Sequence, residues 1–269
     1  HLPFSALHDQ SGYVCERFAV SYVPTVSLIP ILATAQNRKS ETDDASGDAR
    51  YLVTAISDYS ATREGGMVFS SRLRSSAGLE DLAYTMEEAN SILSLGQSGT
   101  VSSGASSGST LLTNEEVKRS LPEMFGDFDV VHFAGHAIFN HDEPMASGLV
   151  LSDGSILSAA SILEGNALRT ERGRLLVLSA CQTGVNVVTE GGEILGLARA
   201  LMYAGMPNLV LSLWEVADRS TAELMQDFHT CWQSGKISVA QALRQAQLKA
   251  IAAKQPVHAW APFMHFGIE

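Results

Sequence analysis

The chain has 269 residues, 45% of them apolar, with 29 acidic against 18 basic side chains and a formal charge of −11. That apolar content supports a large buried core and excludes collagenous, fibrous and globally disordered classes. No run reaches the ~18 apolar residues of a membrane span, and the acidic balance repels phosphate backbones and anionic lipid, so a spanning protein and a nucleic-acid binder are both set aside.

The chain opens His-Leu-Pro-Phe, with no Met and no charged-then-apolar leader, which reads as a processed piece of something longer. Residues 1–33 form a β-rich N-terminal part, with strands expected over Tyr13–Val23 and Val26–Leu32 and prolines punctuating them at Pro24 and Pro30. Residues 34–50 are polar and charged, which predicts a flexible linker. The core then spans 51–269. It opens with a strand over Tyr51–Ser57 and a helix over Leu79–Leu93, whose apolar stripe is Leu79, Leu82, Ala83, Met86, Ala89 and Leu93. A Ser/Gly-rich loop occupies 96–110, and Thr113 with Glu116 offers a capping box for the next helix.

An α/β rhythm follows: strand Asp129–Ala134, a hairpin about Asp153-Gly154, strand Leu175–Ala180, helix Ile194–Tyr203 and strand Leu209–Trp214. Helices over Thr221–Trp232 and Val239–Ala252 and a final strand Phe263–Ile268 complete the chain. Nearly continuous apolar strands alternating with helices imply a mainly parallel central sheet with helices on both faces.

In such a sheet the ligand site lies beyond the carboxyl ends of the strands. Two strand ends carry reactive side chains: one run ends at His136, the other at Cys181. If the strands are neighbours, an imidazole and a thiol meet at the rim, a pair sufficient for covalent acyl transfer without cofactor or metal. The backbone N–H groups of Ala137 and Cys181 are the expected oxyanion donors. His132 and His136 look like a metal pair, but on a strand four residues span ~13 Å, too far for one ion. The run Gly191-Gly192-Glu193-Ile194-Leu195-Gly196 lacks the order of a phosphate-binding loop, and no GxSxG elbow occurs. Cys15, Cys181 and Cys231 are an odd number with no CxxC, which suits a reducing, cytoplasmic compartment.

The strand ending His-Phe-Ala-Gly-His and the later strand ending Leu-Ser-Ala-Cys-Gln-Thr-Gly resemble the CHAT domains, caspase-like modules usually attached to tetratricopeptide repeats. Leu2–Leu7, Ser147–Leu151, Gly196–Ala200, Ser212–Val216 and Trp260–Phe263 extend the resemblance over essentially the whole chain. It implies the three-layer caspase-like fold shared with separases and gingipains. It also implies His136 as catalytic histidine, Cys181 as nucleophile, and an upstream repeat or sensor domain as partner. The segment Leu213–Arg219 resembles the separase stretch that shapes the pocket for the residue before the cut. Ala137 stands where many members carry Gly, and the insertions at 34–50 and 96–110 are this chain's own.

The function expected is therefore a cysteine endopeptidase acting on a protein or peptide substrate. A catalytically silent scaffold is the alternative, and peptide ligation at the same dyad a third. Carboxylates near the rim predict a basic residue before the cut, with Asp218 first, then Glu215 and Asp58, and an apolar preference if Trp214 closes the pocket. Ser220 and Glu223 are read as a capping box that leaves Asp218 without a capping role.

Overall fold

The computed structural model describes residues 3–42, 49–60, 81–96, 109–140, 142–165, 168–182, 192–214, 216, 218–233 and 236–268. Within them the strands are β1 His8–Asp9, β2 Gly12–Tyr13, β3 Ser21–Tyr22, β4 Tyr51–Ala55, β5 Thr110–Thr113, β6 Val130–Ile138, β7 Gly148–Val150, β8 Ile156–Ser158, β9 Leu175–Gln182, β10 Leu209–Ser212 and β11 Phe263–Phe266. The helices, in chain order, are α1 Val14–Arg17, α2 Ile29–Thr42, α3 Thr85–Gly96, α4 Glu115–Met124, α5 Ala159–Glu164, α6 Gly192–Tyr203, α7 Asp218–Gln233, α8 Val239–Ala252 and α9 Val257–Trp260.

The main sheet runs β3-β11-β10-β9-β6-β4-β5, with β7 paired to β6 and β8 to β7. Strands β5, β4, β6, β9 and β10 are mutually parallel, and β11 runs antiparallel to β10. The strands are apolar on both faces because both are covered. Leu52, Val131, Phe133, Leu176, Leu178, Leu209 and Leu211 face one core with Leu32 of α2, Leu121 of α4, Ile162 of α5 and Leu201 of α6. Their sequence neighbours Tyr51, Val53, Val130, Leu175, Val177 and Val210 face the other, with Ile92 of α3, Phe228 of α7, Leu243 of α8 and Trp260 of α9. This two-residue alternation gives a three-layer α/β fold with a mainly parallel central sheet, as expected.

Three local expectations need correction. Strand Val26–Leu32 is absent: Val26–Leu28 is a 3-10 turn and Ile29 opens α2. Pro30 sits in the first turn of α2, where a missing N–H costs nothing, so it starts a helix instead of ending a strand. The helix continues through 34–42, and residues 43–48 of the expected linker lie outside the described residues. Tyr13–Val23 is likewise not one strand. The Glu16 carboxylate accepts the Tyr13 N–H at 2.5 Å and turns the chain into α1, whose Cys15 is buried. Finally, β6 does not end at His136. It runs on to Ile138 because β7 pairs with it there, Val150 opposite His136 and Gly148 opposite Ile138. The hairpin about Asp153-Gly154 does form, with Gly154 at φ 79° and Leu151 N–H donating to Ser155 O at 2.9 Å.

Candidate active site

Strands β6 and β9 are adjacent and parallel, and their register pairs Val130 with Leu175 through Ala137 with Gln182. His136 is thereby opposite Cys181. Neighbouring strands lie ~4.8 Å apart, so the two backbones sit side by side at the carboxyl end of the sheet. The pairing follows from the sequence itself, since each residue stands six positions beyond the strand's first pair, at the end of an apolar run.

The surroundings of His136 are well defined. Strand β4 accompanies β6 only as far as Ala55, opposite Ala134, and β7 takes over at His136. The segment after β4 fills the changeover. Ile56 N–H donates to Ala134 O at 2.9 Å, and His136 N–H donates to the Tyr59 hydroxyl at 2.8 Å. The Tyr59 ring lies 4.6 Å from the imidazole, tilted by 56°. Both side chains are buried, and burial pushes the Tyr59 phenol well above its ordinary range, so it stays protonated. The segment is held from below by Asn114. Its Oδ1 accepts the N–H groups of Ser57 at 3.1 Å and Asp58 at 3.3 Å, with φ at 38°. Asp81 Oδ1 accepts the Tyr59 N–H at 3.0 Å.

The remaining expected residues fall as follows. Ala137 lies within β6, between Gln182 of β9 and Leu149 of β7, with its methyl in the core. Asp58 is exposed, beside Tyr59, and its Oδ1 accepts the Ser60 N–H at 2.8 Å. Trp214 follows β10, two strands from β6, half-buried, its indole N–H donating to His258 O at 3.0 Å. Glu215 lies outside the described residues. Asp218 is the first residue of α7, so Ser220 is inside the helix and not its cap. Glu223 instead binds Arg219 at 3.2 Å and Gln255 at 3.2 Å. The capping box is therefore not formed, and Asp218 stands at the start of the helix. The loop from 183 to 191 lies outside the described residues.

His132 has a different fate from His136 on the same strand. Its Nε2–H donates to Glu88 Oε1 of α3 at 2.9 Å, and its Nδ1 meets His229 Nε2 of α7 at 3.1 Å. All three side chains are buried, and burial followed by the neighbouring His132 pushes the His229 pKa well down, so His229 is neutral. His132 Nδ1 and His229 Nε2 share one hydrogen bond. The Glu88–His132–His229 chain is a polar tie between the sheet and two helices. No metal-binding cluster of three or more His, Cys, Asp or Glu occurs among the described residues. Of the other cysteines, Cys15 has its thiol pushed up to about 11 by burial, with Glu16 adding to the effect, so it is a poor nucleophile. No described helix is long and apolar enough to cross a membrane.

A three-layer sheet with a histidine and a cysteine in register at its carboxyl end is the architecture of the caspase-like fold. Among solved structures, gingipain R, an Arg-specific cysteine proteinase, superposes with a TM-score of 0.53 at 13% identity, covering 88% of this chain and 51% of its own. The complex of Porphyromonas gingivalis RgpB pro- and mature domains superposes at 0.49 with 12% identity, covering 87% of this chain and 52% of that one. The chain thus spans about half the length of these proteins. No curated protein sequence matches it. The family model of the CHAT domain matches residues 1–268, and the chain belongs to that family.

Proposed function

We propose that this chain is a cysteine endopeptidase that cuts specific protein partners, with Cys181 as nucleophile and His136 as general base and acid. The observation that supports this reading is the register pairing of His136 with Cys181 at the carboxyl ends of adjacent parallel strands. In the proposed reaction His136 takes the thiol proton and the thiolate attacks the scissile carbonyl. The imidazolium then protonates the leaving amine, and water releases the thioester-bound half. The Cys181 and Ala137 N–H groups are the proposed donors to the tetrahedral oxyanion.

A carboxylate beside this rim would select Arg or Lys before the cut through a charge-assisted contact. Asp58, adjacent to Tyr59, carries that reading best among the described residues, ahead of Asp218, with Glu215 a further contributor and Trp214 a wall. The Arg specificity of gingipain R points the same way. The larger protein is proposed to be cytoplasmic, with an upstream sensor of tetratricopeptide repeats controlling this effector half.

The test is proteome-wide mapping of new protein termini with the intact chain and with Cys181→Ala. Termini that follow a basic residue and appear only with the intact cysteine are the expected result. Identical termini with both proteins, together with no labelling of Cys181 by a peptide electrophile, would leave the scaffold reading in its place.

A further inference from the structure

We infer that Tyr59 is the residue that positions His136, and that Gly135 is a glycine because the Tyr59 hydroxyl passes over it. The inference rests on the proposed dyad and adds a member that neither motif contains.

The argument starts from the strand ladder. On the β9 side, β6 is paired without interruption through Ala137. On its other side the partner changes from parallel β4, ending opposite Ala134, to antiparallel β7, beginning opposite His136. A parallel and an antiparallel neighbour cannot join seamlessly, because their hydrogen bonds are spaced differently. The backbone N–H of His136 falls at this seam. A buried N–H must find an acceptor, and it finds the Tyr59 hydroxyl at 2.8 Å.

Steric fit supports the same role. A β-carbon built on Gly135 would lie 2.9 Å from the Tyr59 hydroxyl and 2.9 Å from a ring carbon of Phe133. Both neighbours are fully buried, so neither has room to give. The glycine of the His-Phe-Ala-Gly-His run is thus explained by space at the seam, not by backbone conformation. With its hydroxyl on the His136 amide and its ring against the imidazole at 4.6 Å, Tyr59 restrains both the main chain and the side chain of the proposed base. The loop bearing Tyr59 is itself fixed, by Asn114 and Asp81. Tyr59 touches no reacting atom in the proposed chemistry; it sets where the imidazole stands relative to Cys181.

Tyr59→Phe removes the hydroxyl and keeps the ring. Two measurements on the whole chain read the consequence without a known substrate. The first is hydrogen exchange at the His136 amide, expected to speed up at least about tenfold when its acceptor is lost. The second is the pH profile of Cys181 carboxamidomethylation by iodoacetamide, followed by mass spectrometry of its peptide. An imidazole that is well placed lowers the thiol pKa, so Tyr59→Phe is expected to raise the profile's midpoint by about one unit, up to about tenfold in rate at pH 7. His136→Ala should raise it further. An unchanged His136 amide in Tyr59→Phe, or an unchanged Cys181 profile where His136→Ala does shift it, overturns the positioning role. If His136→Ala itself leaves the profile unmoved, the dyad reading fails and the inference falls with it.

Discussion

Acid should destabilise this fold through His265, and the size of the effect follows from its surroundings. His265, on β11, is buried between two neighbouring strands: its Nε2 lies 3.1 Å from Asn208 Oδ1, which precedes β10, and its Nδ1 lies 2.9 Å from Ser21 Oγ of β3. Asn208 is oriented by its own Nδ2, which donates to Arg174 O at 3.0 Å, so its oxygen faces the ring. His265 Nε2 therefore carries the proton and Nδ1 accepts from the Ser21 hydroxyl, which satisfies a neutral ring completely. A second proton on Nδ1 would require the Ser21 hydroxyl to turn and accept, and it would place a charge on a ring that is 1% exposed.

Burial accordingly pushes the His265 pKa down to about 4, against about 6.5 in an unfolded chain. Because the folded value lies below the unfolded one, the unfolded state binds more protons throughout that interval, and stability falls as pH falls. The loss begins near pH 6.5, grows by about 1.4 kcal/mol per pH unit and levels off near pH 4 at about 3 kcal/mol. His229, also pushed down by burial, adds a loss of the same sign that starts at the same upper bound. Urea unfolding should therefore show stability falling from pH 7 to pH 5, by about 2 kcal/mol over that interval from His265 alone, with His229 adding a loss of the same sign. His265→Gln, which cannot titrate, should remove the His265 share of that fall and leave a shallower pH dependence. A variant whose stability falls with the wild-type slope would refute the assignment of His265 as a buried neutral base.

Cys181→Ala should abolish cleavage and His136→Ala should lower it by about 10²–10⁴-fold; the double variant should be no worse than Cys181→Ala alone, because the two act as one unit. Gly135→Ala should cost about 1–3 kcal/mol in urea unfolding, since the added carbon meets the buried Tyr59 hydroxyl and Phe133 ring. Glu88→Ala should cost at least about 2 kcal/mol by stranding the His132 N–H, while Glu88→Gln, whose amide oxygen still accepts, should recover most of that loss. Cys15→Ala and Cys231→Ser should retain cleavage activity, measured on the same substrate as the wild type.

The parallel sheet was legible because burial on both faces writes strands as unbroken apolar runs, and β6, β9 and β10 read that way. The placement of His136 and Cys181 followed from the same runs, since equal strand lengths bring equal ends together. What escaped were features whose cause lies across the sheet. Glu88 carries no signal of burial in the sequence, yet it is buried, with His132 44 positions away in sequence and 2.9 Å away in space. His229 joins the same chain from 97 positions away. Tyr59 carried one usable signal, a Gly beside the candidate histidine that no turn required. The capping box expected of Ser220 and Glu223 was misjudged, and only the observed helix start at Asp218 shows that both are inside the helix.

His132 and His136 show how one strand gives the same side chain two chemical futures. They lie four residues apart on β6 and are both buried, at 0% and 1% exposure. His132 is mid-strand, where β4 and β9 occupy both flanks, and its ring is tied to Glu88 of α3 and His229 of α7. With both nitrogens already used to hold helices to the sheet, proton transfer there would break the packing it serves. His136 sits where one flank has changed partner, its backbone N–H donates to the Tyr59 hydroxyl, and its opposite number is a cysteine. Burial alone does not separate the two, nor does residue type. The difference is one of position: β4 and β9 flank His132, whereas His136 stands at the seam between a parallel and an antiparallel neighbour, opposite Cys181.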